Sequence, residues 1–487
     1  MNLKITRRAP LPRPGSALGP GPTGAAKFVQ FGLLALIVLS PLPMASVHEW
    51  SILGIELAVL VMTGAYVLAT IKPAINPRLE TKLRVPRTAL FALFAFFVFQ
   101  IVPLPAFLVR ILSPGTYGFH RAFAPGFTGK GLMSLSVVPA RTFQEGLELA
   151  AYVLVGFLVV RTVTRGREIR KIIAFLVAMG AFEAFYGLYE LTKAHPRLLF
   201  YKKIYSLGSV TGTFVNRSHL AGYLEMIIPL AIGLLIARLD FLSLGGEGLK
   251  AKLIHMTGKG LVPNLLLFAA IVVMSLGVVF SQSRSGIFTL VLVFILFVEF
   301  FAVHFGRLGR RRRWLKNFIW ITFALVTISA LYIGVGSTIQ RFALDDLLRE
   351  GRPLLWGNVV RIIAAFPLFG TGLGTFVSVY PAYEKTAGPE LLLTHAHNDY
   401  LEYMSELGAI GFTLLLGAAL YIAIVSFLTW RDRRNPDVKG IALGGIISLI
   451  VILVHSLTDF NLHIPANMLL FSIVLALTFV TAFYRKT

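Results

Sequence analysis

The stretch THAHNDYLEYMSELGAIGF, residues 394–412, sets His395, His397, Asn398, Asp399, Glu402 and Glu406 between long apolar runs. A histidine in such company can act as a general base, because imidazole exchanges its proton in the range where enzymes work. Two other polar corners carry arginine. GTFVNRSHLAGYLEM (212–226) holds Asn216 and Arg217, and FSQSRSGIFTL (280–290) holds Arg284 and Ser285. A guanidinium grips phosphate oxygens through forked hydrogen bonds. Two arginines and a histidine therefore suit a reaction in which an anionic phosphate leaves and a hydroxyl loses its proton. His395 and His397 form a single His-x-His pair with no third candidate at metal-ligand spacing, and the chain has no cysteine, so the expected chemistry uses neither metal nor cofactor. The glycines of GTGLG (370–374) lie outside any strand, turn and helix order and read as a bend, not a nucleotide loop.

The elements that must position these residues are membrane helices. Of the 487 residues 56% are hydrophobic and 14% charged, with a mean hydropathy of +0.76, whereas soluble chains carry about 25% charged residues. Runs of about 20 apolar residues are what a bilayer requires. They occur at 28–47, 51–71, 89–112, 146–162, 171–192, 219–237, 262–281, 286–305, 317–336, 409–430, 440–456 and 467–484. The expectation is an all-α integral membrane protein of about twelve spans. Residues 1–27 form a disordered cytoplasmic tail, 28–487 one polytopic membrane domain, and 337–408 a large outer segment between the ninth and tenth spans. Within that segment Trp356, Val359, Val360, Ile363 and Phe366 have the spacing of an interfacial amphipathic helix.

A formal charge of +23 invites a nucleic-acid reading. With both termini inside, however, the cytoplasmic segments collect about two thirds of the Lys and Arg and about a quarter of the acids, as the positive-inside rule expects. The excess charge is topological. GRLGRRRRWLK (306–316) reads as a stop-transfer segment that meets anionic lipid, and no nucleic-acid partner is expected.

The same topology explains the polar corners. Spans six, eight and ten run from outside to inside, and Arg217, Arg284 and His397 each stand at the outer start of one of them. Helix N-termini present free N–H groups and partial positive charge. The expected ligand is an anion at the outer membrane surface, and a lipid diphosphate fits. Asp399 and Glu402 have capping-box spacing, which predicts a short helix over 399–407 ending before Gly408. Glu183, Glu190 and Glu225 lie at membrane depth, where ionisable residues are functional candidates by default. His455 and Asp459, in HSLTDFNLHIP (455–465), read as part of a helix-capping turn.

His397, Asn398, nine residues, Gly408, two residues and Gly411 resemble the His-Asn-x9-Gly-x-x-Gly pattern of the O-antigen ligase and Wzy-type polymerase family. GTFVNRSHLAGYLEM, SRSG and FPLFGTGLGTF…YPAY (366–383) resemble its other signatures in the same order. The resemblance covers residues 200 to 430. It implies a GT-C-like helical fold in the bacterial inner membrane, and transfer of a glycan from undecaprenyl diphosphate at the periplasmic face without metal. Carried over, the implied diphosphate contacts are Arg217 and Arg284 and the implied base is His397. Asn398, Asn216, Ser285, His395 and Tyr380 are the further substrate-contact candidates. The implied partners are the lipid-linked glycan donor, an acceptor that is lipid A core or a growing glycan, and membrane lipids.

Two other functions compete. A polymerase of lipid-linked repeat units shares the donor chemistry of a ligase. A transporter of lipid-linked sugars or another anion suits twelve spans, but the chain lacks paired broken spans in its two halves, and its polar residues gather at the outer face instead of the midplane.

Overall fold

Inside a bilayer every backbone polar group must find its partner within the protein, so apolar spans fold as helices. The computed structural model describes residues 24–69, 77–238, 261–304, 320–324, 327–328, 352–384, 393–433 and 436–484. In chain order the helices are α1 (Gly24–Leu39), α2 (Glu49–Ala69), α3 (Pro77–Ile101), α4 (Ala106–Leu112), α5 (Pro114–Phe123), α6 (Pro139–Thr162), α7 (Gly166–Leu191) and α8 (Arg217–Arg238). They continue as α9 (Leu261–Phe280), α10 (Arg284–His304), α11 (Arg352–Ala365), α12 (Phe376–Val379), α13 (Asp399–Arg431), α14 (Pro436–His455) and α15 (Pro465–Phe483). Two short antiparallel ladders pair β1 (Leu104–Pro105) with β2 (Leu132–Met133), and β3 (Arg197–Leu198) with β4 (Tyr201–Lys202). Nine of the described helices, α2, α3, α6 to α9 and α13 to α15, are long and apolar enough to cross a membrane. The chain is an all-α multi-pass membrane protein.

Several boundaries differ from the sequence expectation, mostly where proline intervenes. The first run, expected at 28–47, is helical only to Leu39, and Pro41 and Pro43 follow. The third, expected at 89–112, starts at Pro77 and stops at Ile101 before Pro103, so residues 106–112 form a separate helix. The short helix expected at 399–407 and the tenth span form one element, α13, interrupted at Gly408. The tail before residue 24 and the basic loop 306–316 lie outside the described residues, as does most of the ninth span.

Three helices form the centre. α8, α14 and α15 are buried along almost their whole length, and the other spans surround them. Helix association in lipid depends on close backbone approach over small residues. Gly233 on α8 and Gly440 and Gly444 on α14 supply it: a β-carbon at any of them would press on the facing backbone. Ser448 adds a hydrogen bond across this contact, from Oγ to the Met226 carbonyl at 2.6 Å.

One end of the bundle gathers the polar corners. α11 forms where the amphipathic pattern predicted a helix, but its buried face, Leu355, Val359, Ile362 and Phe366, turns into the protein, with Val360 outward. The surface needed to bury those residues is provided by Val137, Phe376, Val379, Tyr380 and Ala396. The glycines of 370–374 run against the first half of α13, where the Thr371 and Gly372 amides donate to the Ser405 and Glu406 carbonyls at 3.0 and 2.9 Å. Gly408 has φ +60°, and a β-carbon there would collide with the Leu368 carbonyl. This break lets the first third of α13 sit against the 368–372 loop while the rest continues as an apolar helix.

Candidate active site

The three helix starts expected to share one ligand do converge. Asn216 caps α8 by accepting the Ser218 amide on Oδ1 at 2.9 Å, which leaves Arg217 as the first helical residue. Asn398 caps α13 by accepting the Leu401 amide at 3.1 Å, and its Nδ2 donates to the Leu457 carbonyl at 2.8 Å. Both ends of that amide are committed to the protein. Arg284 opens α10 between two tethers: Ser283 Oγ donates to Ser218 Oγ at 3.2 Å, and Ser285 Oγ lies 2.6 Å from Thr458 Oγ1. The starts of α8 and α10 and the α14–α15 turn are therefore locked side by side.

His397 stands just ahead of α13 with a left-handed backbone, φ +49°. A non-glycine residue keeps that conformation only where its surroundings over-determine it, and such residues gather at functional sites. Its Nδ1 lies 3.3 Å from Oδ1 of Asp459, a carboxylate that is only 2% exposed. The same oxygen accepts the Phe460 amide at 2.9 Å and faces His219 Nε2 at 3.8 Å. Burial alone would raise the Asp459 pKa, but the His219 and His397 imidazoles beside it outweigh that and hold the carboxyl well below its ordinary range. An ionised Asp459 favours the His397 tautomer with hydrogen on Nδ1, which leaves Nε2 free to accept a proton. The Phe460 ring organises the group: His395 stacks on it at 4.1 Å, and His219 and His397 meet it edge-on at 4.5 and 4.9 Å.

A cavity of about 470 Å³ opens over this cluster. Asn216, Arg217, Arg352, His397, Asp459 and Tyr205 are among the residues that line it. Arg217 reaches Ser209 Oγ at 3.4 Å, and Arg352, the first residue of α11, donates to the Thr458 carbonyl at 2.7 Å. Two guanidinium groups, a histidine backed by a carboxylate and the start of a membrane helix face one space. Such an arrangement could hold an anion and offers it a proton acceptor close by.

Residues 269–416 match the family model described as O-antigen ligase. This segment is similar to O-antigen ligases. No curated protein matches the chain. The O-antigen ligase family consists of membrane enzymes that transfer glycans. The matched segment contributes Arg352 and His397 to the cavity and Arg284 to the adjoining helix start, while Arg217 and Asp459 reach the cavity from outside the segment.

The other expected residues divide. Ser285 is beside the cavity through Thr458. His395 turns away: its Nδ1 pairs with Glu402 Oε1 at 2.7 Å, so the two histidines of the His-x-His pair address different carboxylates. Tyr380 is buried against Phe376, its hydroxyl accepting from Asn358 Nδ2 at 3.3 Å, and it is not among the residues lining the cavity. The acids at membrane depth hold structure together. Glu183 accepts the Thr213 amide and hydroxyl at 2.8 and 2.9 Å, Glu190 pairs with Lys193 at 2.7 Å, and Glu225 joins His455 at 2.8 Å and Thr289.

Sequence reasoning left out Asp459, His219 and Arg352. Asp459 does not cap a helix: neither the 461–463 turn nor α15 has a side-chain cap hydrogen bond, and the carboxylate instead faces two histidines. The spacing of His455, Asp459 and His463 in one short turn was the signal in the sequence. Beyond the cavity, His463 donates toward Asp399 at 2.7 Å and lies 3.6 Å from Glu402. Burial opposes its charge, but Glu402 and Asp399 overcome that and push it up to about 10. It is a buried cation that ties the α14–α15 turn to the start of α13.

Proposed function

We propose that the chain is a glycosyltransferase that moves a glycan from undecaprenyl diphosphate to an acceptor hydroxyl at the periplasmic face of the bacterial inner membrane, as an O-antigen ligase does. The observation that carries this reading is the meeting of Arg217, Arg352 and the His397–Asp459 pair in one cavity, with Arg284 at the adjoining helix start. The acceptor oxygen attacks the anomeric carbon as its bond to the diphosphate oxygen breaks. His397 Nε2 takes the acceptor proton, and Asp459 stabilises the imidazolium that results. Arg217 and Arg284 take up the charge that develops on the departing diphosphate, helped by the α8 and α10 N-termini. The products are glycosylated acceptor and undecaprenyl diphosphate. Around this site the reading sets about twelve spans, cytoplasmic termini and an outer 337–408 segment.

The test is mass analysis of surface glycans and lipid-linked intermediates in a deletion strain. Finished polymer accumulating on undecaprenyl diphosphate supports the ligase. Accumulation of single repeat units identifies a polymerase with the same donor site, and unchanged intermediates overturn both.

A further inference from the structure

Residues 192–216 connect α7 to α8 at the cavity end of the bundle, and part of this connection is built unlike a water-exposed loop. β3 and β4 pair Arg197 with Lys202 and Leu198 with Tyr201, so Leu199 and Phe200 form a two-residue hairpin turn. Leu199 has φ +52°. Hairpins of this kind place glycine or asparagine where φ is positive, so turn geometry does not account for an apolar tip. Phe200 is 90% exposed, and Tyr201, Ile204, Tyr205 and Leu207 are exposed by 46 to 64%.

Exposed apolar side chains are ordinary on a lipid-facing helix. Here they stand on irregular backbone, which cannot enter hydrocarbon, and a contiguous apolar patch outside the spans marks a contact surface. The level at which aromatic side chains and open backbone coexist is the membrane interface. Three further observations fit that level. Lys193, Arg197 and Lys202 are exposed on the same segment, complementary to lipid phosphates. Trp50, at the start of α2, is 63% exposed, and the His48 ring lies 6.4 Å from both Trp50 and Tyr201. The hairpin is tied to the bundle: the Leu199 amide in its turn donates to the Tyr186 hydroxyl at 2.8 Å, the Arg197 amide at its base to Glu190 at 2.6 Å, and Gln282 Nε2 to the Gly208 carbonyl at 2.9 Å. Tyr205 belongs both to this patch and to the cavity wall.

We propose that residues 197–207 are a membrane-dipping hairpin. Phe200, Ile204 and Leu207 enter the outer-leaflet interface and the basic residues meet lipid headgroups, so that the cavity opens at the depth of a lipid-borne phosphate. The insertion stands on its own, while its service to a lipid-linked donor rests on the function proposed above.

The chain contains no cysteine, so Phe200→Cys or Leu207→Cys can each carry a single environment-sensitive fluorophore in nanodiscs of phosphatidylglycerol and phosphatidylethanolamine. Blue-shifted emission, quenching by nitroxide lipids labelled near the headgroup and protection from aqueous iodide are expected at both sites. Iodide quenching without lipid quenching overturns the insertion, and protection from both quenchers overturns it in favour of a protein covering. The donor role is read separately with Phe200→Ser/Leu207→Ser. KM for an undecaprenyl-linked donor should rise several-fold with kcat kept, while KM for a short, water-soluble prenyl donor should not move. Equal effects on both donors, or a fall in kcat, overturn the donor role. If the wild type transfers no glycan, the proposed function fails and the quenching result still decides the insertion.

Discussion

Oδ1 of Asp459 lies 3.3 Å from Nδ1 of His397, sixty-two positions away in sequence. The two residues reach each other because Asn398 Nδ2 holds the Leu457 carbonyl and the Asp399 amide donates to the Ser456 carbonyl at 3.0 Å. If His397 is the base and Asp459 its partner, His397→Ala should lower kcat by about 10²–10⁴-fold, the usual worth of general-base catalysis. Asp459→Asn should lower it less. The double variant should be no slower than His397→Ala alone, because the carboxylate acts through the ring. Donor binding in nanodiscs should survive in all three. Additive losses of kcat would separate the two residues, and lost donor binding would make His397 a ligand contact.

Arg284→Lys keeps the charge and removes the fork. It should lose most of its turnover despite normal expression, since an ammonium cannot span two phosphate oxygens. EDTA should leave wild-type turnover unchanged if the arginines carry the diphosphate charge. Activity lost to chelator and restored by a divalent ion would reopen the metal reading.

His463 offers a pH test of stability. Its folded pKa of about 10 lies above the unfolded value of about 6.5. A raised histidine stabilises the fold fully below about pH 6.5, and that stabilisation drains away as pH rises toward 10. The melting temperature in detergent should therefore fall over this window. His463→Gln should melt lower near pH 6.5 and show a flatter profile. An unchanged slope in the variant would remove His463 from the account.

Gly408→Ala should destabilise the protein by more than about 1 kcal/mol, because it puts a β-carbon into a left-handed position pressed on the Leu368 carbonyl. Melting temperature and turnover should fall together, unlike the His397→Ala case. A variant that melts normally would show that α13 can straighten without cost.

The expected sidedness can be tested in the cysteine-free chain. Cysteine placed at Lys385 should react with a membrane-impermeant thiol reagent in cells with a permeabilised outer membrane, and cysteine at Arg312 should not. Labelling of position 312 would overturn the topology.

Sequence alone determined that the chain is helical and membrane-embedded, because span length and hydropathy are local properties that any packing must respect. It also determined that Arg217, Arg284 and His397 stand at helix starts, since the apolar runs begin there. Expected span limits shifted wherever a proline or the left-handed Gly408 overrode the apolar pattern, as at Leu39, Ile101 and within α13. Only the tertiary structure decided what those helix starts share. Asp459, Arg352 and His219 lie far from His397 in sequence, and hydropathy is blind to a polar residue's partner. The turn read as a cap became the partner of His397 because the α14–α15 connection folds under the start of α13, where Asp459 is buried between two imidazoles. For the same reason Tyr380 and His395, equally plausible by residue type, face other neighbours: the packing of α11 against α13 fixes where each side chain points, and residue type does not.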